Sequence, residues 1–146
     1  NIIPDSVEMR GTIRSFDEGM RDDIHERVTT LAEAIARGSR AGCTVCITKN
    51  YPVTINDPAL TARLTNVVVN TFGADTLIDM RPTMGGEDFS AYQQRAPGVF
   101  AFIGAGNVDV GIDFPHHHPR FQIDERSLDV GLRYLTAATL NLLGTA

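Results

Sequence analysis

The hydrophobic period of the chain changes twice between Ser6 and Thr48, and that restricts the fold more than any other feature. Over residues 6–15, Val7, Met9, Gly11 and Ile13 alternate with Glu8, Arg10, Thr12 and Arg14, the signature of a half-buried strand. Met20, Ile24, Val28, Leu31 and Ile35 then recur at helical spacing. Asp17 is placed to cap this helix and Gly38 to stop it. Cys43-Thr-Val-Cys-Ile-Thr48 is β-branched and reads as a second strand. Residues 1–52 are therefore expected to run β-α-β. Two strands under one helix cannot close a core alone and need further partners.

Tyr51-Pro52 and Asn56-Asp57-Pro58 punctuate the chain and suggest a domain crossing near 50–56. Residues 57–72 read as a helix with Asp57 as cap and Pro58 at its first position. Leu60, Leu64, Val67 and Val68 form its apolar stripe. Short apolar runs at 77–80 and 98–103 read as buried strands, and a glycine turn at 85–86 leads into a helix of about 87–94. A last helix is expected from Asp124 or Glu125, carrying Leu128, Leu132, Leu135, Leu142 and Leu143. Helices alternating with short buried strands make residues 53–146 α/β.

Three features carry chemistry. The run Phe114-Pro-His-His-His-Pro-Arg-Phe121 holds three of the four histidines. Neutral imidazole is the commonest zinc ligand, but adjacent residues cannot all face one ion, and a catalytic zinc usually takes three protein ligands. The residues alone leave a metal site and a surface loop evenly matched. Gly85-Gly86-Glu87-Asp88 could bring backbone N–H groups to an anion, although a plain strand-to-helix connection has the same composition and is favoured by pattern alone. Arg14 lies on the polar face of the first strand, where an arginine is usually just solvated; it could also clamp a carboxylate by a bidentate contact.

Charge and cysteine usage narrow the classes. A net charge of −5 argues against a nucleic-acid or acidic-membrane binder, and no apolar run approaches the ~20 residues of a membrane span. Cys43 and Cys46 form a C-x-x-C, but on a strand and with no second pair to complete a zinc site. They read as small strand residues in a reducing compartment, so a cytoplasmic location is expected. The chain opens at Asn1 without a Met and is expected to be a piece of something longer.

Asn1-Ile-Ile-Pro-Asp5, Arg10-Gly-Thr-Ile-Arg14, Tyr51-Pro52 with Asn56-Asp57-Pro58, Met84-Gly-Gly-Glu-Asp-Phe89 and His117-His-Pro-Arg-Phe121, in this order, resemble the C-terminal part of the M20 metallopeptidase family. That family includes hippurate hydrolases, N-acyl-amino-acid amidohydrolases and auxin-conjugate hydrolases. The resemblance spans the whole chain. It implies the C-terminal part of a two-domain α/β metallohydrolase: residues 1–52 as the second half of a ferredoxin-like lid that mediates a homodimer, and residues 53–146 as the closing segment of the catalytic domain. It further implies two divalent metal ions (Zn, Mn, Co or Ni) in the parent enzyme, with His117 as a ligand and His118 as second choice. Asn1 and Arg14 would bind the substrate carboxylate, and Gly85, Gly86 and Glu87 would line the pocket. The implied substrate is a small N-acyl amino acid or a peptide-like amide, attacked by metal-activated water with a glutamate base.

The chain also departs from the family pattern. It has no H-x-C-G-H-D, no Glu-Glu pair and no G-H-A segment, so it holds no catalytic residue and is expected neither to bind the metal pair stably nor to turn over substrate alone. Other readings remain: a dipeptidase, aminopeptidase or carboxypeptidase of the same family, a non-catalytic dimerisation or binding module, and an anion-binding domain built on the Gly85-Gly86 turn.

Overall fold

The computed structural model describes residues 1–144. Four α-helices form: α1 (Glu18–Gly38), α2 (Pro58–Phe72), α3 (Phe89–Gln93) and α4 (Arg126–Leu142). Single 3₁₀ turns lie at Ala74–Thr76 and Val108–Val110. The chain divides into two compact units. One comprises Asn1–Thr54 with Pro82–Arg95; the other comprises Ile55–Arg81 with the chain from Ala96 onward.

In the first unit, α1 starts where Asp17 Oδ1 accepts the Met20 N–H at 2.7 Å and satisfies one of the helix's unpaired first-turn donors. Glu18 and Arg21 form an ion pair one turn apart. Glu18 Oε1 accepts the Val53 N–H at 2.7 Å, and Arg21 Nη1 donates to the Tyr51 carbonyl at 3.0 Å. The Tyr51-Pro52 crossing is thus tied to the first turn of α1. Lys49 Nζ reaches Asp22 at 2.6 Å, drawing residues 43–49 along the same helix.

Most of the apolar stripe expected to bury α1 lies off its packed face. Met20, Val28, Leu31 and Ile35 are exposed, while Ile24 of the stripe is half-buried together with Arg21, His25, Thr29, Ala32 and Ala36. His25, Thr29 and Thr30 share a shallow groove with Val45, Ile47 and Lys49.

The strands expected at 6–15, 43–49, 77–80 and 98–103 do not form ladders. Among the described residues there is no strand, and one isolated antiparallel bridge joins Asn107 to Ile112. The physical reason is that alternation encodes which face is to be buried, whereas a strand exists only when a neighbour accepts its N–H groups. At 43–49 the alternation survives without the ladder: Val45 and Ile47 are half-buried, while Thr44, Cys46 and Thr48 are exposed. Cys43 and Cys46 are both exposed free thiols.

The second unit is built on α2 and α4, which pack together. Asp57 caps α2 through a 2.8 Å bond from Leu60 N–H, with Pro58 at the start where its missing N–H costs nothing. Leu64 and Val67 are 7% and 6% exposed and meet Ala138 of α4, with Leu60, Val99, Tyr134 and Ala137 around them. Small residues let α4 approach: a Cβ at Gly131 would lie 3.2 Å from Ile103 Cδ1. The expected leucine stripe of α4 is again the open face, with Leu128, Leu132 and Leu135 each over 60% exposed.

Residues 98–100 find a substitute for a strand partner. The Asn56 side chain donates to the Phe100 carbonyl at 3.0 Å and accepts the Phe100 N–H at 2.8 Å, and Asp57 N–H donates to Gly98 O at 3.0 Å. One side-chain amide thereby mimics the paired bonds of an antiparallel ladder. At the other end, Asn107 Nδ2 donates to Asp124 Oδ2 at 2.7 Å, and Asp124 pairs with Arg126. These contacts, Arg126 first, hold the Asp124 carboxyl far below the usual carboxylate range. They fasten the 107–112 turn to the start of α4.

Candidate functional site

The histidine loop is a double turn. His118 N–H donates to Pro115 O at 3.1 Å, which closes a β-turn with His116 and His117 at its centre. Phe121 N–H donates to His118 O at 2.9 Å and closes the next turn over Pro119 and Arg120. His117 sits at the third position of the first turn with φ +67. A positive φ at that position, without one at His116, is the type II geometry that ordinarily selects glycine or asparagine.

The three imidazoles are constrained differently. His118 is half-buried and stacks on Phe114 with ring centroids 4.3 Å apart and planes 15° apart. Arg120 covers the Phe114 ring at 4.0 Å in a cation–π contact. His118 Nδ1 also accepts the Arg120 N–H at 3.1 Å. That bond engages the Nδ1 lone pair within the loop. His116 packs edge-on against Phe121 at 4.7 Å. His117 is exposed and meets the His116 ring edge-on with centroids 5.9 Å apart, and among the described residues no hydrogen bond to its ring is formed. Both His117 nitrogens remain open to a ligand.

The loop does not complete a metal site with this chain's other residues. Among the described residues no three His, Cys, Asp or Glu side chains converge. A catalytic zinc site takes three protein ligands. The donors here therefore match one ligand of such a site and not a whole one.

The second constellation lies in the first unit. Arg14 Nη1 donates to the Met84 carbonyl at 3.0 Å, 70 residues away in sequence. The guanidinium lies against Gly86, where an added Cβ would stand 3.1 Å from Nη1 and at ordinary contact distance, 3.9 and 4.0 Å, from Cζ and Nη2. Glu87 turns its carboxylate to the chain ahead: Oε1 accepts Phe89 N–H at 3.2 Å, while Glu87 O accepts the Ser90 hydroxyl at 2.8 Å. Ser90 is fully buried. Glu87 thus caps the short helix α3, and a Cβ added at Gly85 would meet Thr83 Oγ1 at 3.9 Å, an ordinary contact. Asn1 is exposed. So the structure brings Arg14 to the Met84–Gly86 turn and does not bring Asn1 to either.

Two contributors were not singled out from the sequence. The Met84 carbonyl is backbone and has no sequence signal. The Phe114–His118 stack had one, an aromatic four residues before a histidine across a proline turn, but it identifies packing and not ligation.

The model of peptidase family M20/M25/M40 matches residues 8–141. The chain is 36% identical over 132 residues to thermostable carboxypeptidase 2 of Saccharolobus solfataricus, covering 90% of this chain and 33% of that protein. It is 34% identical over 156 residues to IAA-amino acid hydrolase ILR1-like 4 of Arabidopsis thaliana, covering 97% of this chain and 36% of the relative. It is 31% identical over 145 residues to N-acetylcysteine deacetylase of Bacillus subtilis, covering 99% and 36%. The chain spans about a third of the length of the curated relatives it matches. No solved structure matches significantly.

Proposed function

The chain belongs to peptidase family M20/M25/M40, and from that premise we propose that the whole protein is a metal-dependent amidohydrolase cleaving the amide bond of small N-acyl amino acids. The family generally uses divalent metals, which polarise a carbonyl and activate water when bound. In this reading His117 supplies one metal ligand and Arg14 receives the substrate carboxylate. The observation that carries it is the division of labour in the histidine loop. His118 and His116 are spent on packing, whereas His117 is held out at a positive φ with both ring nitrogens open. Left-handed backbone at a non-glycine residue clusters at functional sites, and of the two such residues described, Arg40 and His117, only His117 lies in a motif that carries chemistry. Relatives named as an N-acetylcysteine deacetylase and an IAA-amino acid hydrolase support the substrate class.

We also propose that residues 1–52 form half of an α/β lid that dimerises, and residues 53–146 the closing segment of the α/β catalytic domain. The alternation kept at 43–49 supports the strand assignment, and the open apolar face of α1 leaves surface for a partner. Sedimentation of the full-length protein checks this; a monomer would remove the dimer from the proposal.

The test of function is hydrolysis of hippurate and a panel of N-acetyl amino acids by the full-length protein with Mn²⁺ or Zn²⁺. Turnover that disappears on chelation and returns with metal is the expected result. Absence of turnover on the whole panel refutes the reading. A second reading, cleavage of the C-terminal residue from peptides, is favoured by the likeness to the Saccharolobus carboxypeptidase. N-blocked dipeptides turned over faster than the acetyl amino acids would select it.

A further inference from the structure

Gly86 does not owe its identity to a left-handed backbone. Positive φ among the described glycines is confined to Gly73, Gly111 and Gly144. Alanine is therefore not excluded at 86 on that ground. What a side chain at 86 would meet is the tip of Arg14: an added Cβ would stand 3.1 Å from Nη1, so the exposed guanidinium would have to give by a few tenths of an ångström. That nitrogen is the one already fixed, donating to Met84 O at 3.0 Å.

We propose that Gly86 is a positioning residue for Arg14. By presenting no Cβ, it lets the guanidinium seat on the 84–86 turn with Nη1 committed to the Met84 carbonyl. The Nε–Nη2 edge is then left free as a planar fork, and two parallel N–H donors match the geometry of a carboxylate. A side chain at 86 would push Nη1 away by a few tenths of an ångström and weaken the one bond that sets the plane. The seated arginine makes the protein selective for acyl amino acids with a free carboxylate over their amides. This rests on the proposed hydrolase reading only for the identity of the ligand; the seating of Arg14 stands on the contact itself.

The experiment uses the full-length protein in four forms: wild type, Gly86→Ala, Arg14→Ala and the double variant. Thermal unfolding gives a double-mutant cycle that needs no activity. Gly86→Ala is expected to lower Tm with Arg14 present and to have a smaller effect in the Arg14→Ala background. Hippurate and its amide, hippuramide, then report positioning. Gly86→Ala is expected to raise KM for hippurate roughly tenfold, the loss of one hydrogen bond to a charged group, with kcat nearly unchanged and KM for hippuramide unmoved. Arg14→Lys, which keeps Gly86 and the charge but removes the fork, should erase the preference for the acid in the same way. Additive unfolding effects overturn the proposal, and so does an equal KM rise on acid and amide. If Gly86→Ala does not fold, recovery of folding in the double variant supports the clash and its failure refutes it. A coupled cycle in a protein that hydrolyses no acyl amino acid overturns the hydrolase reading while upholding the seating of Arg14.

Discussion

Replacing His117 by glycine should remove function and relieve the fold at once. His117 holds φ +67 at the third position of a type II turn, where glycine is the preferred residue. The left-handed conformation costs a non-glycine residue about 1–2 kcal/mol, and histidine falls toward the low end because it is among the residues enriched there. Glycine avoids that cost but loses about 0.5–1 kcal/mol more backbone entropy on folding. The net change for His117→Gly is therefore about 0 to +1 kcal/mol in favour of the variant, with little packing lost, since the ring is exposed and meets the edge of His116. His117→Ala bears the same φ without the ring, so glycine should exceed alanine by about 1 kcal/mol. That is about 2–4 °C in Tm for a domain of roughly 150–250 residues. Bound metal stabilises the folded state by mass action, so unfolding must be followed on metal-stripped protein, with metal content measured separately by mass spectrometry. Both variants should lose metal affinity by more than the ~10–100-fold typical of removing a group that merely supports a ligand. His118→Ala should do the reverse, weakening the loop by about 1 kcal/mol through the lost Phe114 stack while retaining metal. A His117→Gly protein that keeps wild-type metal content, or a stripped form less stable than His117→Ala, would refute the assignment of strain to ligation.

Three further outcomes follow from the geometry. Asp57→Ala should destabilise α2 by about 1 kcal/mol through the lost cap, and Asp57→Asn by only a few tenths because an acceptor remains; urea midpoints measure both. Asp124 has its carboxyl pKa depressed by Arg126 and Asn107, so its contribution is complete above the ordinary carboxylate range near 4 and is lost as pH falls toward its folded value. Asp124→Asn should flatten that acid limb of a Tm-versus-pH curve, and an unchanged limb would show that the clasp does not titrate with folding. Arg14→Lys should raise KM for an N-acyl amino acid by roughly tenfold or more, because an ammonium cannot replace the planar fork; equal KM values in a steady-state assay would show that charge alone suffices.

The capped helices were the most legible part of the fold. Asp17 and the Asp57-Pro58 pair act locally, through hydrogen bonds three residues long, so sequence carries the whole interaction. The stripe of α2 was legible too, since Leu64 and Val67 have their partner helix in the chain. The stripes of α1 and α4 show what periodicity leaves out. It identifies the face that is to be buried and says nothing of what buries it. Met20, Leu31 and Ile35 on one helix and Leu128, Leu132 and Leu135 on the other remain open, while smaller or polar residues make the contacts present. The site divides in the same way. His117 emerges by resemblance, but the turn that singles it out was hidden, because positive φ is read from glycine or asparagine and here falls on histidine. The Arg14 seat was hidden because its acceptor is a backbone carbonyl 70 residues away.

We propose one physical origin for the unladdered strands, the open helix faces and the exposed His117 imidazole. In that reading each would be one side of an interaction whose other side is not among the described residues. An alternating segment such as 6–15 needs a neighbouring strand, a leucine stripe needs an apolar surface, and a lone imidazole needs further ligands. The relatives supply a scale, since they are about three times the length that this chain covers. By contrast, the Asp57 cap, the Asn56–Phe100 pairing and the Arg14–Met84 seat have both partners present and are formed. If the open features are halves of the whole protein's sheets, core and metal centre, then hydrogen exchange on that protein should protect residues 6–15 and 98–103 as strongly as α2. Rapid exchange in both segments would mean that they carry a strand pattern without a strand, and that the open faces serve another purpose.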